Sequence, residues 1–64
     1  MYKYIFTNAM QTKIVCCDNS LDKAVLHFAK HFDIPAEIKH CFYKVAIIRT
    51  PDYLYGVQWE TNIP

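Results

Sequence analysis

Glycine is almost missing from this chain: Gly56 stands alone among 64 residues. A loop that cradles phosphate needs several glycines at fixed spacing, so nucleotide binding of that kind is excluded. Serine is equally scarce. Ser20 is the sole serine, and its position just before an amphipathic segment accounts for it as a helix start. Serine nucleophile chemistry therefore has no candidate. No apolar run reaches the roughly 18 residues that a membrane span requires. The opening Met1-Tyr2-Lys3-Tyr4-Ile5-Phe6-Thr7 is too short and too aromatic for a secretory leader. An excess of either charge is also lacking: 7 Lys+Arg against 6 Asp+Glu leave a net +1. No strong field points at nucleic acid, a membrane or an acidic substrate.

Cysteine is present but poorly arranged for cross-linking. The count is 3, with Cys16 and Cys17 adjacent and Cys41 remote. Neighbouring strand residues leave on opposite faces, so the adjacent pair is badly placed to bridge. The pattern reads as reduced thiols in a cytoplasmic protein.

What the chain has is apolar and aromatic mass: 53% hydrophobic residues and 16% aromatics. That is the composition of a folded chain, and residues 1–64 read as a single small domain. A domain this size buries only about 60% of its unfolded surface, so it needs a dense aromatic core or self-association.

Hydrophobic periodicity supplies the elements. Residues 2–7 alternate and read as a strand, 8–11 as a hairpin connection, and 12–17 as a second strand rich in β-branched residues. Asp18-Asn19-Ser20 opens a helix of about 13 residues, with Asn19 and Asp22 approximating a capping box. Leu21, Val25, Phe28 and Phe32 form one apolar stripe, flanked by Ala24 and Ala29. Ile34 precedes Pro35, which ends the helix, and 35–39 read as one further helical turn. Residues 41–49 read as a third strand, Thr50-Pro51-Asp52 as a turn, and 53–60 as a fourth strand. Thr61-Asn62-Ile63-Pro64 reads as a frayed tail. The fold class is α+β: a four-stranded, mainly antiparallel sheet with one helix packed on one face, in the order ββαββ. A central first strand would pair with a strand of the later hairpin.

Alternation assigns the faces. Tyr2, Tyr4, Phe6, Ile14, Cys16, Tyr43, Val45, Ile47, Tyr53, Tyr55, Val57 and Trp59 form the bulkier set, expected under the helix. The other face carries Lys3, Ile5, Thr7, Lys13, Val15, Cys17, Phe42, Lys44, Ala46, Ile48, Leu54, Gly56, Gln58 and Glu60. One helix about 10 Å across shelters one side of such a sheet, and none is left for the other. Yet Ile5, Val15, Phe42, Ile48 and Leu54 fall on that other side, rimmed by Lys44 and its like. Leu26 lies on the outer side of the helix. Contiguous apolar exposure with a charged rim marks a partner site, although singly scattered apolar residues would need no explanation. The expected partner-binding set is therefore Ile5, Val15, Phe42, Lys44, Ile48, Leu54 and Leu26.

Other chemistries fare worse. His27 and His31 are four apart on the helix and could share an ion with a cysteine thiolate. However, there is no Cys-x-x-Cys and no His-Glu-x-x-His. Cys17 just before the helix could be activated, but His40 points away from Cys41 across a strand, and so short a chain has little wall for a pocket. Tyr and Phe on an open sheet could stack bases, with Lys3, Lys13, Lys44 and Arg49 on phosphate, but +1 is weak for that. The reading is a non-enzymatic module without cofactor that binds a larger protein. Size and a Lys-rich, Ile-rich composition suit a phage or mobile-element product that sterically blocks a host protein. A single-stranded nucleic-acid domain and a homodimer through the same face are the alternatives.

Overall fold

The computed structural model describes residues 1–60 of the chain. In order come β1 (Tyr2–Thr7), β2 (Lys13–Asp18), α1 (Leu21–Phe32), β3 (Glu37–Phe42), β4 (Val45–Arg49) and β5 (Leu54–Glu60). The described strands form one five-stranded sheet in the order β2-β1-β5-β4-β3, and every neighbouring pair is antiparallel. The α+β class, the single helix and the antiparallel sheet are as expected; the strand order, which the sequence left open, places β1 between β2 and β5. The sheet has five strands rather than four, and the order is ββαβββ. The expected frayed tail lies outside the described residues.

Two expectations fail together. Residues 35–39 do not form a helical turn; β3 begins at Glu37. Residues 41–49 are not one strand, because Tyr43-Lys44 form a two-residue hairpin turn with Phe42 opposite Val45. Lys44 takes φ 60°, a left-handed conformation that glycine or asparagine normally supplies in such turns. An apolar run with lysine at that position carries no turn signal.

The hairpin inverts the face assignment of β4. In a continuous strand, residues 42 and 48 share a face. Across a two-residue turn the residues sharing a face are Phe42 and Val45. Val45 and Ile47 therefore leave the helix side, while Ala46 and Ile48 enter it. A bulge between Ile38 and His40 shifts the register, so that Ile38 faces the core and His40 does not. Tyr43 and Tyr53, expected under the helix, lie in the two turns and are exposed.

The helix links the two edge strands and lies across one face. Ser20 rather than Asn19 is its N-cap, the hydroxyl accepting a bond from Lys23 N–H at 3.3 Å. Asp33 closes it at φ 52°, and the Ile34 N–H donates back to the Ala29 carbonyl at 3.0 Å. Phe28 carries the packing: its ring stacks on Phe6 at 4.4 Å between centroids and meets Tyr55 edge-on at 4.7 Å. Tyr4, Phe6, Ala24, Val25, Phe28, Ala46, Ile48, Tyr55 and Val57 make up the buried apolar core. Ala24 has no bulk to hold the helix off the sheet. Phe32, the last member of the stripe, is only partly covered.

Two of the hairpin turns are clasped by side chains. Asn8 Oδ1 accepts bonds from the Met10 and Thr12 amides, each at 3.0 Å. Thr50 Oγ1 donates to the Tyr53 carbonyl at 3.0 Å and accepts from the Tyr53 amide at 3.1 Å. These clasps hold β1 against β2 and β4 against β5, and so fix the register that decides what the uncovered face displays.

Candidate functional site on the open sheet face

The face away from the helix carries a continuous row across all five strands. Val15, Ile5, Gln58, Val45 and Phe42 lie side by side, in the strand order β2-β1-β5-β4-β3. A second row beside it reads Lys13, Thr7, Gly56, Ile47, His40. Beyond these, Lys3 pairs in register with Glu60 at one end, and Glu37 with Arg49 and Leu54 at the other. The charged groups therefore frame one row that is mainly apolar and a second that is mixed, with Ile47 among polar neighbours.

Exposure distinguishes this face from the core. Val15 is 56% exposed, Phe42 61%, Leu54 58% and Val45 40%, whereas Ile48 is at 0%. Ile5 and Ile47 are half-buried by their neighbours in the sheet. Between β1 and β4 lies a shallow depression of about 400 Å³, floored by Gly56 and flanked by Ile5, Thr7, Val45 and Gln58.

Of the expected partner-binding residues, the sheet brings Ile5, Val15, Phe42 and Leu54 onto this one face. Lys44 sits at its border in the β3–β4 turn. Ile48 does not belong: it is a core residue, because the hairpin reverses β4. Leu26 is exposed on the helix, which covers the opposite side of the sheet, so it cannot act in the same surface. Val45 and Ile47 belong to the face and were assigned to the other. The signal that could have found them is the spacing of the pairs Phe42-Val45 and His40-Ile47 about a two-residue turn.

The remaining chemistry-bearing groups are dispersed. His27 Nδ1 lies 2.6 Å from Asp18 Oδ2, while Asp18 Oδ1 accepts the Asn19 amide at 2.8 Å. Together they tie the end of β2 to the helix. Burial pushes the Cys16 thiol above its ordinary value of 9.0, with Cys17 and Asp18 adding to the shift. Cys16 therefore keeps its proton at neutral pH and is a poor nucleophile. Cys17 is exposed on the open face and Cys41 at the β3 edge. Among the described residues no group of three or more His, Cys, Asp or Glu side chains could hold a metal ion. No helix among them is long and apolar enough to cross a membrane.

These features define a class: a one-helix α+β domain with an aromatic core on one side of its sheet and an apolar, charge-framed surface on the other. No family model matches the sequence, and neither the curated proteins nor the solved structures yield a significant match.

Proposed function

We propose that this chain is a non-enzymatic protein-binding module that docks onto a larger protein through its open sheet face and occludes the surface it covers. One observation carries the reading: the apolar row Val15-Ile5-Gln58-Val45-Phe42 spans the whole sheet and is left uncovered by the helix. A face of this kind, with exposed apolar side chains framed by charge, has the anatomy of protein interfaces.

Base stacking is less well served by the same face. Tyr4, Phe6, Tyr55 and Phe28 are buried in the core, and Trp59 packs against Tyr4 at 5.7 Å. The two rows offer only the Phe42 ring and the His40 imidazole, stacked on each other at 6.2 Å between centroids at the β3 edge. The basic groups are also diluted, since Lys3 and Arg49 stand opposite Glu60 and Glu37 in register.

The test is capture from an extract of the source cells by the immobilised chain, compared across three variants. Retention of a protein should survive Leu26→Asp on the helix and disappear with Val15→Asp and with Phe42→Asp. Retention that ignores both open-face substitutions overturns the reading. So does capture of nucleic acid that fades steeply with salt.

A further inference from the structure

The carboxylate at the end of β2 is buried at a cost. Asp18 is only 8% exposed. Its Oδ1 accepts the Asn19 amide at 2.8 Å, a bond that an uncharged asparagine would make as well. Its Oδ2 is fully buried, and no well-aligned hydrogen bond reaches it. The group that faces that oxygen is His27 Nδ1, 2.6 Å away. A carboxylate oxygen placed like this in the interior is expensive, so its one neighbour is informative.

What the carboxylate does is orient a ring. A proton between Oδ2 and Nδ1 fixes the tautomer, and the lone pair of the neutral imidazole then sits on Nε2. The His27 side chain is 63% exposed, which leaves Nε2 on the solvent side. Metal-ligating histidines are held in this way, one nitrogen on a carboxylate and the other free for the ion. His31 stands one turn further along α1 and is exposed, its ring edge-on to Phe32 at 5.0 Å. Residues four apart on a helix have Cβ atoms about 5–6 Å apart. At that spacing two imidazoles grip one ion in helical zinc motifs. Lys23 and Lys30 flank the pair but are exposed, so their ammonium groups can extend into water. The Asp18 carboxylate cannot leave, and its charge stays beneath the site.

We propose that His27 and His31 bind one divalent late first-row transition-metal ion, with Asp18 as the buried carboxylate that orients His27. Two imidazoles leave coordination positions to water, so the site is open and exchangeable, with a dissociation constant of about 1–100 μM. The ion clamps two successive turns of α1, and Asp18 couples the clamp to the end of β2. A metal is one of the staples that domains of this size use. The site lies on the helix, away from the open sheet face, and it stands independently of the docking reading.

Isothermal titration of the folded chain with Zn²⁺ in a non-chelating neutral buffer tests it. One equivalent should bind. Zinc at about 100 times the dissociation constant should raise the melting temperature by at least about 4 °C. His31→Ala changes an exposed residue, so the metal-free chain should melt as the wild type does while the dissociation constant rises at least about tenfold. Asp18→Asn should also weaken binding about tenfold, with circular dichroism confirming the fold; if that variant unfolds, His31→Ala still decides the site. A chain carrying Cys17→Ser and Cys41→Ser should bind as the wild type does. No heat and no thermal shift at about 1 mM Zn²⁺ overturns the proposal. So does binding that His31→Ala leaves intact, or that the serine substitutions abolish. Binding that falls with His31→Ala but ignores a folded Asp18→Asn overturns the orienting role of the carboxylate.

Discussion

The two faces of the sheet are built from the same strands and differ in what they are given. On the helix side, Tyr4 packs against Trp59, Phe6 and Tyr55 lie beside aliphatic partners, and Phe28 closes over Phe6 and Tyr55. On the other side Ile5, Val15, Val45 and Ile47 are aliphatic, with glycine and glutamine at the centre and charge around them. Rings were spent where a small domain most needs buried area. The open face was left flat, apolar and shallow, which suits contact with another protein better than capture of a small molecule.

The sharpest way to break this comparison uses two residues of one short strand. Ile48→Asp places a carboxylate in the core and should cost more than about 4 kcal/mol, enough to unfold a domain of this size. Val45→Asp, three residues earlier on the open face, should cost about 1 kcal/mol or less. Urea denaturation of both would read the difference, and equal losses would mean that the faces are misassigned. Next in size, Phe28→Ala removes the ring between Phe6 and Tyr55 and should cost about 3–5 kcal/mol, measured by thermal unfolding.

Smaller effects concern the turns that set the faces. Asn8→Ala leaves the Met10 and Thr12 amides without their shared acceptor and should cost about 1–2 kcal/mol. Lys44→Gly removes the left-handed strain and should gain about 0.5–1 kcal/mol. That gain would also confirm the two-residue turn on which the placement of Val45 depends.

The smallest effect is one of pH. Burial, then the nearby Tyr2, Asp18 and Asp22, raise Tyr4 above its ordinary value of 10.0, and burial raises Cys16 above 9.0. Both groups are neutral below these values and hold their protons longer when folded. The stability these two groups contribute should therefore be constant through neutral pH and be lost as pH rises past about 9–10. Tyr4→Phe should blunt that fall in a melting-temperature series.

Much of this architecture was legible in the sequence. Alternation at Tyr2-Tyr4-Phe6 and Tyr55-Val57-Trp59 placed those residues correctly, and the stripe Val25-Phe28 with Ala24 beside it located the helix face. Ile34-Pro35 marked its end. The β3–β4 hairpin was hidden for a physical reason: Lys44 occupies a position where glycine or asparagine would have announced the turn, inside an otherwise apolar run. Alternation then carried the wrong parity through β4 and exchanged Ile48 for Val45. The bulge after Ile38 similarly disguised β3 as a helical turn following Pro35. Half of the open face was thus readable, from Ile5, Val15, Phe42 and Leu54. The other half awaited the pairing of strands, which local pattern does not encode.

The most direct measurement is methyl NMR of the labelled chain as its captured target is added. The account predicts that the methyls of Ile5, Val15, Val45 and Ile47 shift or broaden while those of Ile48 and Val57 hold still. Perturbation centred on Leu26 and the helix, with the Ile5 and Val45 methyls unmoved, would contradict it.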